Sequence, residues 1–120
     1  MNKDKLREEI AEDEGCKYEI YLDHLGLPTC GIGHLITEND EEHGKPVGTV
    51  VEQDRVQNLF ALDMAVTIDE CKVLYSDFDD LPEECQHIVA NNMLCFFRQV
   101  VKVRIQYFAF VNRHSYVQRK

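Results

Sequence analysis

The chain has 120 residues, 44% of them hydrophobic, and a formal net charge of −9. That length suits one domain, or a compact domain with a tail, and holds enough apolar side chains for a small core. The negative charge argues against nucleic acid as the main partner, because phosphate contacts need Lys and Arg, and no stretch approaches the roughly 18 apolar residues of a membrane span.

Taken from the N-terminus, the first residues carry no apolar signal-peptide core, which predicts synthesis in a cytoplasm. Lys3 to about Glu14 predicts a short helix, because Leu6, Ile10 and Glu14 recur every four residues and Gly15 supplies a stop. Residues 17–37 are rich in Tyr, Ile, Gly and Pro, with turn signals at Asp23-His24 and Gly26-Leu27-Pro28. They predict a small antiparallel sheet. Residues 38–49 read as an acidic loop punctuated by Gly and Pro. Residues 52 to about 75 predict a long amphipathic helix with Val56, Leu59, Phe60, Met64, Ile68, Cys71 and Tyr75 on one face. A last helix begins at Pro82, a favoured first helical position, and runs to about Phe96 through Cys85, Ile88, Val89 and Met93. A helix, a small sheet, then helices make an α+β arrangement.

The charge is distributed unevenly. All 22 Asp and Glu lie between Asp4 and Glu84, so residues 1–95, with seven Lys and Arg, carry −15. Residues 96–120 hold the other six Lys and Arg and no acid. This divides the chain into a body, 1–95, and an atypical basic, aromatic tail, 96–120, which suggests a different origin or role; the alternative is an ordinary basic C-terminal segment. Between Lys102 and Tyr107 polar and apolar residues alternate, which predicts a strand. The five cysteines, Cys16, Cys30, Cys71, Cys85 and Cys95, are odd in number and form no CxxC pair. They read as buried reduced thiols and not as a disulfide framework or zinc site. No ligand spacing recurs around His24 and His43, so no metal or other cofactor is expected.

The chemistry concentrates between Asp13 and Leu35. Glu14 sits at a helix end, Asp23 in a hairpin turn, and Thr29 at the start of the next strand; Gly31-Ile32-Gly33 then lets the backbone pass close to a neighbour. Glycoside cleavage needs such a kit: a protonated carboxylic acid for the leaving oxygen, and an ionised carboxylate that stabilises an oxocarbenium-like state or activates water. Glu14, beside the first core helix, suits the acid. Asp23, in an exposed turn, suits the ionised partner, and Thr29 can orient water. On residue types alone this carries little weight, because 22 acids place such pairs by chance. His34 reads as a group tuning Glu14 or pairing with an acid, or as a structural hydrogen-bonder, the commoner role of a His after a strand glycine.

The ordered motifs are more specific. Glu14-Gly15, Tyr21-Leu22-Asp23, Gly26, Thr29 and Gly31-Ile32-Gly33-His34-Leu35 resemble the N-terminal lobe of the phage-type lysozymes, glycoside hydrolase family 24. Gly44-Lys45-Pro46-Val47-Gly48 with the following helix, and the Leu81-Pro82-Glu83-Glu84 helix ending near Asn92-Met93, are also similar. The resemblance covers about residues 1–95. It implies a lysozyme-like lobe and a muramidase that hydrolyses the β-1,4 bond between N-acetylmuramic acid and N-acetylglucosamine, usually with inversion. Glu14 matches the family's general acid; Asp23 and Thr29 match the residues that handle the water. Leu35, with Gly33 and His34 beside it, matches the sugar-binding stretch. The implied partner is bacterial cell-wall peptidoglycan and the implied state a monomer acting at the wall, in the periplasm or outside the cell. A net negative charge is unfavourable for long-range attraction to that anionic polymer.

From Phe96 onward the resemblance ends. The family continues with a helical second lobe that forms the other wall of the cleft. The codons for Arg98 to Val103, read one nucleotide later, can spell Gly-Arg-Leu-Ser-Arg-Phe, similar to a Leu-Ser-x-Phe segment of that lobe, so the tail reads as a candidate out-of-frame product that the gene's nucleotide sequence tests. The alternatives to an active hydrolase are an inactive truncated descendant, a peptidoglycan-binding module without turnover, and a small acidic interaction protein that uses its basic tail.

Overall fold

The computed structural model describes the backbone of residues 1–118 and the side chains of residues 1–113. It is α+β: three helices and one three-stranded antiparallel sheet. Helix α1, Lys3–Glu14, starts where the Asn2 side chain accepts the Lys5 N–H at 3.0 Å. It stops at Gly15, whose φ of +82° is cheap only for glycine and whose N–H returns to the Ala11 carbonyl. Its apolar spacing buries Leu6 and Ile10 completely.

Strands β1 (Lys17–Leu22), β2 (Pro28–Gly31) and β3 (His34–Leu35) lie in that order. Tyr21 pairs with Thr29, Thr29 with Leu35, and Cys30 with His34. The β1–β2 register shifts between Lys17 and Tyr21. The loop after β3 returns along the other side of β1, where Ile20 N–H meets Thr49 O and Val51 N–H meets Tyr18 O, each at 2.9 Å.

Helix α2, Gln53–Leu74, is the central element. Val56, Leu59, Phe60, Met64, Ile68 and Cys71 are buried as their spacing predicts, but Tyr75 is 46% exposed. The reason is that Tyr75 is the C-cap, with extended backbone, so it no longer follows the helical stripe. A 3-10 turn, Phe78–Asp80, then carries the buried Phe78 ring into the core.

Helix α3, Glu83–Gln118, differs most from expectation. It does not end near Phe96, and no strand forms at Lys102–Tyr107; both segments are helical. After Pro82 the chain contains no proline or glycine to stop propagation. The four-residue spacing of Arg98 and Lys102 also puts both cations on one helical face, opposite acids of the body. The change of composition near residue 95 coincides with no break in the backbone.

The buried face of α3 is also rotated from the expected one. Gln86, His87, Ala90 and Leu94 are buried; Cys85 and Ile88 are exposed, and Val89 and Met93 only partly covered. Gln86 Nε2 donates to the Phe78 carbonyl at 2.9 Å, and His87 lies 3.3 Å from Glu9. These polar anchors set the rotation of the helix. The thiols need a similar correction. All five are free, but only Cys30 and Cys71 are buried; Cys16, Cys85 and Cys95 are exposed. Burial pushes the Cys30 thiol up to about 11, with the Glu42 charge adding to the shift. Cys30 is therefore an inert small hydrophobe at neutral pH. No helix among the described residues is long and apolar enough to cross a membrane.

Candidate active site

Glu14, Asp23 and the Gly33-His34 corner all meet one face of α3. Glu14 is carried there by the last turn of α1. Its Oε1 accepts a weak bond from the Cys95 thiol at 3.5 Å, and its Oε2 lies 3.9 Å from Arg98 Nη1. Gly33, in the β2–β3 turn, sits against this pair. With φ at +64°, it takes a conformation L residues avoid, and an added Cβ would stand 2.8 Å from Arg98 Nη1 and 3.0 Å from Glu14 Oε2. The glycine thus lets backbone approach the carboxylate, as the Gly-Ile-Gly run suggests.

Asp23 organises the β1–β2 turn. Its Oδ1 accepts the N–H groups of Leu25 and Leu27 at 2.8 and 2.9 Å. Its Oδ2 lies 3.0 Å from Lys102 Nζ, and the side chain is 9% exposed, not open to solvent as a turn residue was expected to be. Burial opposes the charge. The Leu27 N–H, the Lys102 ammonium and the Leu25 N–H outweigh it and hold the carboxyl below its ordinary value. Asp23 is therefore an ionised carboxylate at neutral pH. Tyr21 is bracketed by the same charges, and its hydroxyl is pushed up first by burial and then by Glu14.

Thr29 is 2% exposed, and its hydroxyl donates to the Leu27 carbonyl at 2.9 Å. In this arrangement the proton is engaged and only the lone pairs remain for water. Leu35 is nearly buried. With His34 it lines an open apolar cleft of about 460 Å³ between β3, α2 and α3, to which Phe97 and Val101 contribute from α3.

His34 is a structural hydrogen-bonder. Its Nδ1 lies 2.8 Å from Asp63 Oδ2 and its Nε2 2.9 Å from Asp40 Oδ2. Two carboxylates at two ring nitrogens are satisfied together only by the imidazolium, which donates twice. Burial lowers its pKa, but the hydrogen bond and charge of Asp63, then those of Asp40, reverse this and raise it. Asp40 is conversely held low: burial raises it, but the Thr37 N–H and His34 more than offset that. The pair joins the loop after β3 to α2. Because the folded-state pKa of His34 is raised, its contribution is complete below about 6.5 and is lost as pH rises through the folded value. His34→Gln is expected to cost roughly 2 kcal/mol near pH 6 and to erase this alkaline loss, as read from urea midpoints between pH 5 and 9. An unchanged pH profile in the variant would show that His34 is not the group responsible.

Sequence reasoning missed Arg98, Lys102 and Asp63. Arg98 is 10% exposed, donates to the Ile32 carbonyl at 2.8 Å and lies 3.5 Å from Asp63. Its available signal was the four-residue repeat Arg98–Lys102, which ends where the alternating stretch Lys102–Tyr107 begins. In comparisons with known proteins, no family model matches the chain and no curated protein matches it.

Proposed function

We propose that the chain is a peptidoglycan hydrolase, a lysozyme-like catalytic lobe that cleaves the β-1,4 bond between N-acetylmuramic acid and N-acetylglucosamine. The observation that carries this reading is the convergence of Glu14 and Asp23 on one face, in different surroundings. Asp23 is pinned by two backbone N–H groups and held ionised. Glu14 is freer, at a helix end, with a thiol and a distant guanidinium as neighbours. The motif order quoted above adds to it, and the α+β arrangement is compatible with that lobe.

In this reading Glu14 gives its proton to the glycosidic oxygen as the C1–O bond breaks. Asp23 stabilises the positive charge at C1 and, with a Thr29 lone pair, directs water to the opposite face of the sugar; the water's proton leaves toward Asp23. The new hydroxyl forms at C1 and the leaving sugar departs with its oxygen protonated. The chain acts at the wall after synthesis in a cytoplasm. A second reading, peptidoglycan binding without turnover, is favoured by the buried Thr29 and by the ammonium on Asp23.

The test is release of reducing ends from purified peptidoglycan by the 120-residue chain and by Glu14→Gln. The expected result is release by the wild type and a fall of roughly 10²–10⁴-fold in the variant, the range for loss of a general acid. Equal release by both would remove Glu14 from the mechanism. Wall binding with no release by either chain would replace hydrolysis with the binding module.

A further inference from the structure

We propose that α3 is an autoinhibitory strap, with Arg98 and Lys102 covering Glu14 and Asp23 in the resting chain. This rests on the hydrolase reading for what the two acids do, but the covering itself stands on contacts. Two cations one turn apart on a single helix each face one of the two carboxylates, Arg98 sharing its charge between Glu14 and the nearer Asp63 at 3.5 Å. Arg98 faces Glu14, and Lys102 faces Asp23 at 3.0 Å. Both cations are about nine-tenths buried, so they occupy the space above the acids and do not skirt it. A sugar lying between Glu14 and Asp23 must displace them.

The closed contact is also incomplete. Arg98 Nη1 is buried without a hydrogen bond and is 3.9 Å from Glu14, too long for a good one. Its Nη2 alone makes a short contact, to the Ile32 carbonyl. A buried donor left unsatisfied is costly, so the contact between Arg98 and Glu14 is held by charge and not by a well-formed hydrogen bond. The outer face of the same helix supplies little further hold. Phe96 and Val103, which flank the two cations in sequence, are each 61% exposed. Besides the ion pairs, this segment is held by the Arg98 bond to the Ile32 carbonyl and by Phe97 and Val101 at the apolar cleft, so losing the ion pairs loosens the helix over the acids without detaching it.

Release therefore needs competition for, or screening of, two cations. A carboxylate-bearing glycan supplies the first; salt supplies the second, with a screening length of about 8 Å at physiological ionic strength. A neutral sugar chain supplies neither.

The experiment compares the full-length wild type, Arg98→Gln/Lys102→Gln and the charge-preserving Lys102→Arg. Two readouts are taken: binding of the neutral tetramer of N-acetylglucosamine by calorimetry, and reducing-end release from peptidoglycan. Retained helicity and a cooperative melt qualify each variant. The double variant is expected to bind the tetramer roughly tenfold or more tighter than wild type, the equivalent of one lost charge-assisted contact, and to release reducing ends correspondingly faster. Lys102→Arg is expected to match the wild type. Wild-type affinity for the tetramer is expected to rise with salt, and that of the double variant to stay level. Tighter binding with no reducing ends from any chain supports the strap and removes hydrolysis. Equal binding and equal release in wild type and double variant overturn the strap and leave hydrolysis standing. No binding and no release from either overturn both. A double variant that does not fold moves the decision to the salt dependence of the wild type, where a flat profile overturns the strap.

Discussion

Arg55→Met is expected to destabilise the fold by about 3–5 kcal/mol, the cost of leaving a buried carboxylate without its partner. Glu42 is 4% exposed, in the acidic loop after β3. Arg55 grips it with two parallel bonds, Nε to Oε2 and Nη2 to Oε1, each 2.9 Å. Glu41 lies 3.2 Å from the same Nε. The Arg55 hydrogen bond holds the Glu42 carboxyl below its ordinary value, against the effect of burial. Its contribution is thus present above the ordinary carboxylate range and is lost as pH falls through the depressed folded value. The double change Glu42→Leu/Arg55→Met should return to within about 1 kcal/mol of wild type, because an apolar pair has no charge to desolvate. A double-mutant cycle by urea denaturation at pH 7 measures this. A single-variant loss under about 1 kcal/mol would mean that water reaches Glu42 and that the loop is not clamped to α2.

Phe78→Ala is expected to cost about 3–5 kcal/mol. The ring is 1% exposed, and the 3-10 turn that carries it is the corner between α2 and α3. Its backbone also matters, since the Phe78 carbonyl accepts both the Gln86 side chain and the Leu81 N–H. Truncation removes the ring and leaves those bonds, so the loss measures packing. Phe78→Leu, which refills most of the volume, should cost clearly less. Domains of this kind are stable by about 5–15 kcal/mol in total, so the alanine variant should melt far below the wild type. The denaturation midpoint should fall with an unchanged slope. A small effect would mean that the corner collapses into the vacated space.

Local pattern carried much of this architecture. The Leu6–Ile10 spacing and Gly15 define α1, and turn residues at Asp23 and Gly26 mark the β1–β2 hairpin. The apolar stripe of α2 is legible to Cys71. What local pattern could not carry is any choice decided by a distant partner. The rotation of α3 is set by Gln86 on the Phe78 carbonyl and by His87 beside Glu9, and polar residues do not advertise burial. Lys102 belongs both to the period-two run Lys102–Tyr107 and to the four-residue repeat with Arg98; the acids that favour the second lie far back in the chain. The candidate site divides the same way. The position of Glu14 at a helix end and of Asp23 in a turn followed from neighbours in sequence. The bridging of His34 to Asp63, 29 residues on, and the reach of Arg98 to Ile32, 66 residues back, did not.

The 36-residue length of α3 has a consequence for backbone amide exchange. Near Ala90 and Leu94 the helix is anchored in the core, so its N–H groups should exchange with solvent deuterium only when the whole domain opens. Near Tyr107 and Phe108 the side chains are more than half exposed, and a short helical stretch with little tertiary support is marginal in water. Those amides should exchange through fraying, orders of magnitude faster. One uninterrupted helix would then record both the global and the local opening free energies, with the changeover falling in the turn that holds Arg98 and Lys102.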